Sequence, residues 1–101
     1  MKDPTKVRML KRVYSVRDDK MQMFGNLTFI ENDAVATRSF SDAVSADSKS
    51  LMAMHGGDFA LHFLGFFDSE SGEFIVGDPI DGTEMPHIVC RASDFAVPTK
   101  E

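Results

Sequence analysis

Apolar residues recur at period two in some stretches of this chain and at helical spacing in another, so the pattern divides the sequence into elements. In RVYSVRD (12–18) the strand formers Val13, Tyr14 and Val16 cluster, with Tyr14 and Val16 on one face. This predicts a first strand, followed by a turn at Asp18-Asp19-Lys20. The next ten residues, MQMFGNLTFI, are apolar without a clean period; Gly25-Asn26 interrupts them and leaves 27–30 as a short second strand. The period then changes. Ala36, Phe40, Ala43 and Val44 fall on one helical face, while Arg38, Ser39, Ser41 and Asp42 fall off it. Asn32 or Asp33 can cap the free N–H groups of this helix, which is expected to run to Ala46. Ser50 opens a short second helical turn bearing Leu51, Met52 and Met54, stopped by His55-Gly56-Gly57.

The strongest β signal is DFALHFLGFF (58–67), followed by DSESG and then EFIV, a hairpin whose loop is closed by Gly72. Strict alternation places Phe59, Leu61, Phe63, Gly65 and Phe67 on one face and Ala60, His62, Leu64 and Phe66 on the other. Both faces are largely apolar. The strand is therefore expected to be central, or covered by the helix on one side and by a partner on the other. HIVCR (87–91) adds an edge strand. These elements predict an α+β fold: a small antiparallel sheet with one main helix packed across it. A single domain over 12–92 is expected, with a flexible basic lead-in at 1–11 and a tail at 93–101.

A length of 101 residues suits one domain, and 43% hydrophobic with 27% charged residues is a globular balance. The apolar set leans on nine Phe and seven Met, with no Trp and one Tyr. A thin core rich in Met, which fills gaps without fixing geometry, predicts self-association into a homo-oligomer. One cysteine, Cys90, rules out an intramolecular disulfide. No apolar run is long enough for a signal peptide or a membrane-spanning helix, so no membrane partner is expected. Net charge is −5 but uneven: residues 1–20 carry seven cations against three acids, net +4, and residues 21–101 carry four against thirteen, net −9. A basic arm on an acidic body can reach phosphate or an acidic partner, or simply be a solvated tail.

Three stretches together resemble the nonstructural protein family of gokushovirus-type microviruses, small phages with single-stranded DNA. They are Val13–Lys20, then Ala36–Phe40 with Asp42-Ala43-Val44, and then Asp58-Phe59, Leu61, Leu64–Asp68 and Gly72. The likeness covers roughly residues 12–76; it departs at Gly56-Gly57, where the family often has proline and an acid. The resemblance implies a protein made during infection, in the host cytoplasm, and associated with viral DNA replication and the production of single-stranded genomes. It implies single-stranded DNA, or a phage or host replication protein, as partner, and it supplies no catalytic motif.

For single-stranded DNA the useful groups are aromatic faces for stacking and cations for phosphate. The candidates are Tyr14, Phe63, Phe66 and Phe74 for stacking and Lys11, Arg12, Arg17 and Arg38 for phosphate, with Tyr14 or Phe66 expected to be the exposed aromatic. Against this, the phenylalanines are needed in the core, and the acidic body repels phosphate unless the cations gather on one face. His87-x-x-Cys90 is a metal half-site without a second pair, so no metal or cofactor is expected. His62 is expected to face solvent and Cys90 to be a small buried hydrophobe. Asp68, Glu70 and Glu73 read as a solvated turn rather than a catalytic pair. The Met21/Met23 and Met52/Met54 pairs are core fillers or an adaptable contact surface. An enzyme is therefore not expected. A protein–protein module, acting as an assembly aid or an inhibitor of a host factor, is the alternative to DNA binding.

Overall fold

The structure, a computed structural model, describes residues 9–79, 81–83 and 85–95; the first eight residues of the expected lead-in, and the end of the expected tail from 96 on, lie outside it. Two long strands form its centre, β1 (Leu10–Asp18) and β4 (Phe59–Asp68). They pair antiparallel along their whole length, with Leu10 opposite Asp68 and Asp18 opposite Phe59. Each is flanked by two short strands. Beside β1 lie β2 (Met23–Phe24), opposite Arg17 and Asp18, and β3 (Thr28–Phe29), opposite Val13 and Tyr14. Beside β4 lie β5 (Phe74–Val76), opposite Gly65–Phe67, and β6 (His87–Arg91), opposite Ala60–Phe63. The result is one six-stranded antiparallel sheet whose edges are short pieces, a form that discourages edge-to-edge pairing. Where the sequence predicts one strand over 27–30, two form, because the Gly25 N–H bonds to the Val16 carbonyl at 2.8 Å and holds the whole segment against β1.

The main helix, α1 (Asp33–Ala46), starts and ends where its pattern predicts. The Asn32 side-chain oxygen accepts the Val35 N–H at 2.8 Å, capping the first turn. Ala36, Phe40 and Val44 are buried against the sheet, whereas Ala43 is exposed. The short α2 (Leu51–Met54) is capped by Ser50, and a 3-10 turn at Gly56–Asp58 feeds into β4. A second 3-10 turn, Ala92–Asp94, follows β6; Ala92 is buried and Phe95 stands edge-on to Phe40, with ring centres 6.3 Å apart. The first residues of the expected tail, Ser93–Phe95, thus belong to the packed segment after β6, and β1 reaches back into the expected lead-in.

Strict alternation along β4 does not hold. Val13 faces Gly65 but Tyr14 faces Phe63, so Leu64 is an extra residue on β4. The bulge moves every later side chain to the opposite face from the one alternation predicts. Cross-strand partners share a face, so the helix side carries Arg12, Tyr14 and Val16 with Leu61, Phe63 and Phe66. Phe66 therefore joins Phe63 under the helix, with ring centres 5.4 Å apart, and Phe67 goes to the other side. Tyr14, Phe63, Phe66, Leu61, Ala36, Phe40, Val44 and Ala92 form the core. His62 does not face open solvent: it is buried, and one ring nitrogen lies 3.2 Å from the Ala60 carbonyl.

Gly65 makes the bulge possible. Its φ is +153°, and a Cβ there would stand 2.0 Å from the Ile75 carbonyl oxygen of β5. Gly65→Ala is expected to lower stability by about 2 kcal/mol or more, read from the urea midpoint. Gly57→Ala, where a Cβ meets nothing within 4 Å, is expected to stay within about 0.5 kcal/mol of the parent. Equal effects at the two positions would contradict the assignment of the bulge.

Candidate nucleic-acid interface

The two faces of the sheet have different chemistry. On the helix face, Tyr14 donates from its hydroxyl to Asp33 Oδ1 at 2.5 Å and accepts from Arg12 Nε at 2.8 Å. Arg12 also reaches Asp33 at 3.0 Å, and its guanidinium carbon lies 4.2 Å from the Phe63 ring centre. Burial pushes the Tyr14 pKa up to about 12, and the bond to Asp33 adds to the shift. Burial alone would lower Arg12, but its bonds to Tyr14 and Asp33 outweigh that and hold it above its ordinary value. This cluster ties β1 to the first turn of α1. Tyr14 and Phe66 are thus buried, not the exposed aromatics expected, because the helix lies over them. Phe63 is buried with them, and Arg12 is engaged in the same cluster.

Among the described residues no helix lies over the opposite face; its middle, Val13, Ser15, Ala60 and His62, is buried, and its larger side chains at the margins are exposed. Register places Lys11, Val13, Ser15 and Arg17 of β1 there, with Ala60, His62, Gly65 and Phe67 of β4. The flanking strands add Phe24 and Phe29 on one side and Phe74, Val76, Ile88 and Arg91 on the other. Phe29 is 53% exposed, Phe74 43% and Phe24 39%, although phenylalanine is a core residue by default. Phe29 lies against Phe67 at 5.8 Å, and Phe24 stands edge-on to His62 at 5.1 Å. Exposed aromatics gathered on one face in this way point to an interaction site.

Charge is segregated in the same way. Among the described strand residues, those on the open face with a formal charge are Lys11, Arg17 and Arg91, all cations; Asp18 and Asp68 point to the helix side. Lys11 and Arg17 are six residues apart on one strand, about 20 Å. The Arg17 guanidinium carbon lies 5.2 Å from the Phe24 ring centre. Just past the strand end, Asp19 accepts from Arg17 at 3.1 Å and from Arg91 at 3.3 Å. The bond from Arg91, followed by that from Arg17, holds the Asp19 carboxyl below its usual range. Arg38 is exposed on α1, across the sheet from Lys11 and Arg17.

Of the sequence candidates, then, Lys11, Arg17 and Phe74 come together on the open face. Phe24, Phe29, Phe67 and Arg91 join them: Phe24 and Phe29 lie in the segment without a clean period, Phe67 lies beyond the bulge, and Arg91 reaches this face through the pairing of β6 with β4. Among the described residues no three of His, Cys, Asp and Glu converge as metal ligands. His87 stacks obliquely on Phe63 at 5.4 Å, and the Cys90 thiol points to Thr37 Oγ1 at 3.9 Å. Burial raises the pKa of that thiol, the reverse of what a nucleophilic cysteine needs. An apolar groove of about 320 Å³ between Met21, Met23, Phe24, Met52 and Phe59 adjoins the open face at Phe24. No helix of the described residues is long and apolar enough to cross a membrane.

Comparison with known proteins gives a consistent family. The family model described as "Phage ORF5 protein" matches residues 11–95. Protein ORF5 of Chlamydia phage 1 is 35% identical over 72 residues, covering 67% of this chain and 71% of that protein. No solved structure matches the chain.

Tyr14 is the single tyrosine, so its ionisation can be followed directly by ultraviolet absorbance. Its pKa is raised in the folded chain, from an ordinary value near 10 to about 12. The folded state therefore holds this proton more tightly. The stability it contributes is complete below pH about 10 and is lost as pH rises towards about 12. We expect the folded chain to titrate near 12, Asp33→Ala to titrate lower, and Tyr14→Phe to lose this alkaline destabilisation. A midpoint at the ordinary value in the folded chain would contradict the buried cluster.

Proposed function

The chain belongs to the phage ORF5 protein family, and from that premise we propose a nonenzymatic accessory role in viral DNA replication, exerted in the host cytoplasm by binding single-stranded DNA on the open face of the sheet. One observation supports this above others: the face left uncovered by the helix carries exposed Phe24, Phe29 and Phe74, and its charged strand residues are all cations. In a chain of net charge −5, phosphate is repelled by the body as a whole. Gathering Lys11, Arg17 and Arg91 beside aromatic rings gives phosphate and base a common place to bind. Stacking on phenylalanine does not depend on base identity, so binding is sequence-tolerant. Duplex DNA keeps its bases stacked on one another and offers little to such a face.

A second reading is favoured by the methionine-lined groove between Met21, Met23, Met52 and Phe59. Flexible methionine surfaces accept varied apolar partners, which suits a contact with a phage or host replication protein. The two readings differ in salt dependence, since phosphate contacts release counterions and apolar contacts do not.

The test is fluorescence anisotropy of a labelled single strand of about 30 nucleotides at two salt concentrations, with duplex as control. We expect single-strand-selective binding that weakens with salt. Phe24→Ala and Phe29→Ala should each weaken it by about 1–3 kcal/mol, roughly 5- to 150-fold, without loss of thermal stability. Absence of binding at low salt would remove direct DNA contact. A dimer in sedimentation that Phe29→Ala dissociates, with no DNA binding, would instead assign the face to a second copy of the chain.

A further inference from the structure

Arg17, Ala60 and Arg91 stand in one register row across β1, β4 and β6, and Phe24 of β2 continues that row on the other side of Arg17. The row ends the open face. Its two guanidiniums do not point into empty solvent: both converge on Asp19, one on each carboxylate oxygen. Arg91 is further held by donating to the Gly57 carbonyl at 3.2 Å, which anchors its head at this end of the sheet. Between the two arginines the sheet carries only Ala60, so no bulky side chain separates them.

Resting on the DNA-binding reading above, we propose that Arg17 and Arg91 form a site for one backbone phosphate, and that Asp19 is its resident occupant, displaced when a strand binds. A carboxylate bridging two guanidiniums presents paired acceptor oxygens as a phosphodiester does. The side chains of Arg17, Arg91 and Asp19 are 30%, 38% and 41% exposed, so solvent screens their pairing and releasing it costs little. Phe24 lies within 5.2 Å of the Arg17 guanidinium. A base stacked on that ring brings its own phosphate to the same place. Asp19 thereby weakens the grip of the face on DNA and helps to keep binding reversible.

The experiment compares the intact chain with Asp19→Asn, Asp19→Ser, Arg91→Ala and the double variant Asp19→Asn/Arg91→Ala, using the labelled single strand at several salt concentrations. Asp19→Asn and Asp19→Ser are expected to bind several-fold more tightly at every salt concentration, because the phosphate no longer has to displace a resident carboxylate. Arg91→Ala should weaken binding and cancel the gain in the double variant. If the intact chain binds and Phe29→Ala weakens it, but both Asp19 variants bind no better, the phosphate site is wrong and the aromatic face stands. If neither the intact chain nor the Asp19 variants bind at low salt, the DNA reading itself falls. Thermal unfolding of each variant separates loss of fold from loss of contact.

Discussion

The pairing of β1 with β4, and the single extra residue that interrupts it, governs the rest of the structure. Both strands are inner strands, so every other strand takes its position from one of them. The bulge at Leu64 then sets which side chains each face receives. Beyond it, Phe66 turns under the helix and completes a cluster with Phe63 and Tyr14, while Phe67 turns outward to meet Phe29. Without the bulge the core would lose Phe66 and the open face would lose Phe67. The constraint rests on Gly65, whose backbone comes so close to β5 that no side chain fits.

The two faces use the same residue types for opposite ends. On the helix side, Arg12 is engaged by Tyr14 and Asp33 and lies over the ring of Phe63. Here cation, aromatic and acid lock the strand to the helix, and the groups are consumed by one another. On the open side, Arg17 lies near Phe24 and pairs with an acid, but every member of the group is substantially exposed. Burial of Tyr14 and Phe63 makes the first arrangement structural although Asp33 itself is half exposed, whereas no member of the second is buried, which leaves it available to a ligand.

Much of the fold was legible in the sequence, because the periods were clean where packing is regular. The helix from Asn32 to Ala46, the capped turn at Ser50, the hairpin and the edge strand at 87–91 all stand where the pattern places them. Residues 21–30 were less legible. Their two-residue strands are held by hydrogen bonds to β1 and leave no periodic trace. The site was legible in part. Lys11 and Arg17 share a face by simple alternation along β1, but Tyr14 and Phe66 were assigned to a surface that the helix covers. A bulge shifts phase by one residue and is invisible to alternation, although a lone glycine within an apolar strand is its usual signature. Phe24, Phe29 and Arg91 emerged only from register, since distant segments bring them to one face.

The central claim is that the uncovered sheet face, and not the helix side, receives single-stranded DNA. Amide chemical shifts recorded by NMR while a short unlabelled oligonucleotide is added test it residue by residue. The expected result is a contiguous set of perturbations at Phe24, Phe29, Phe67, Phe74 and Ile88 and at Arg17 and Arg91, with the exposed side of α1 around Arg38 unchanged. Perturbations confined to α1, or an unperturbed spectrum at low salt, would contradict it.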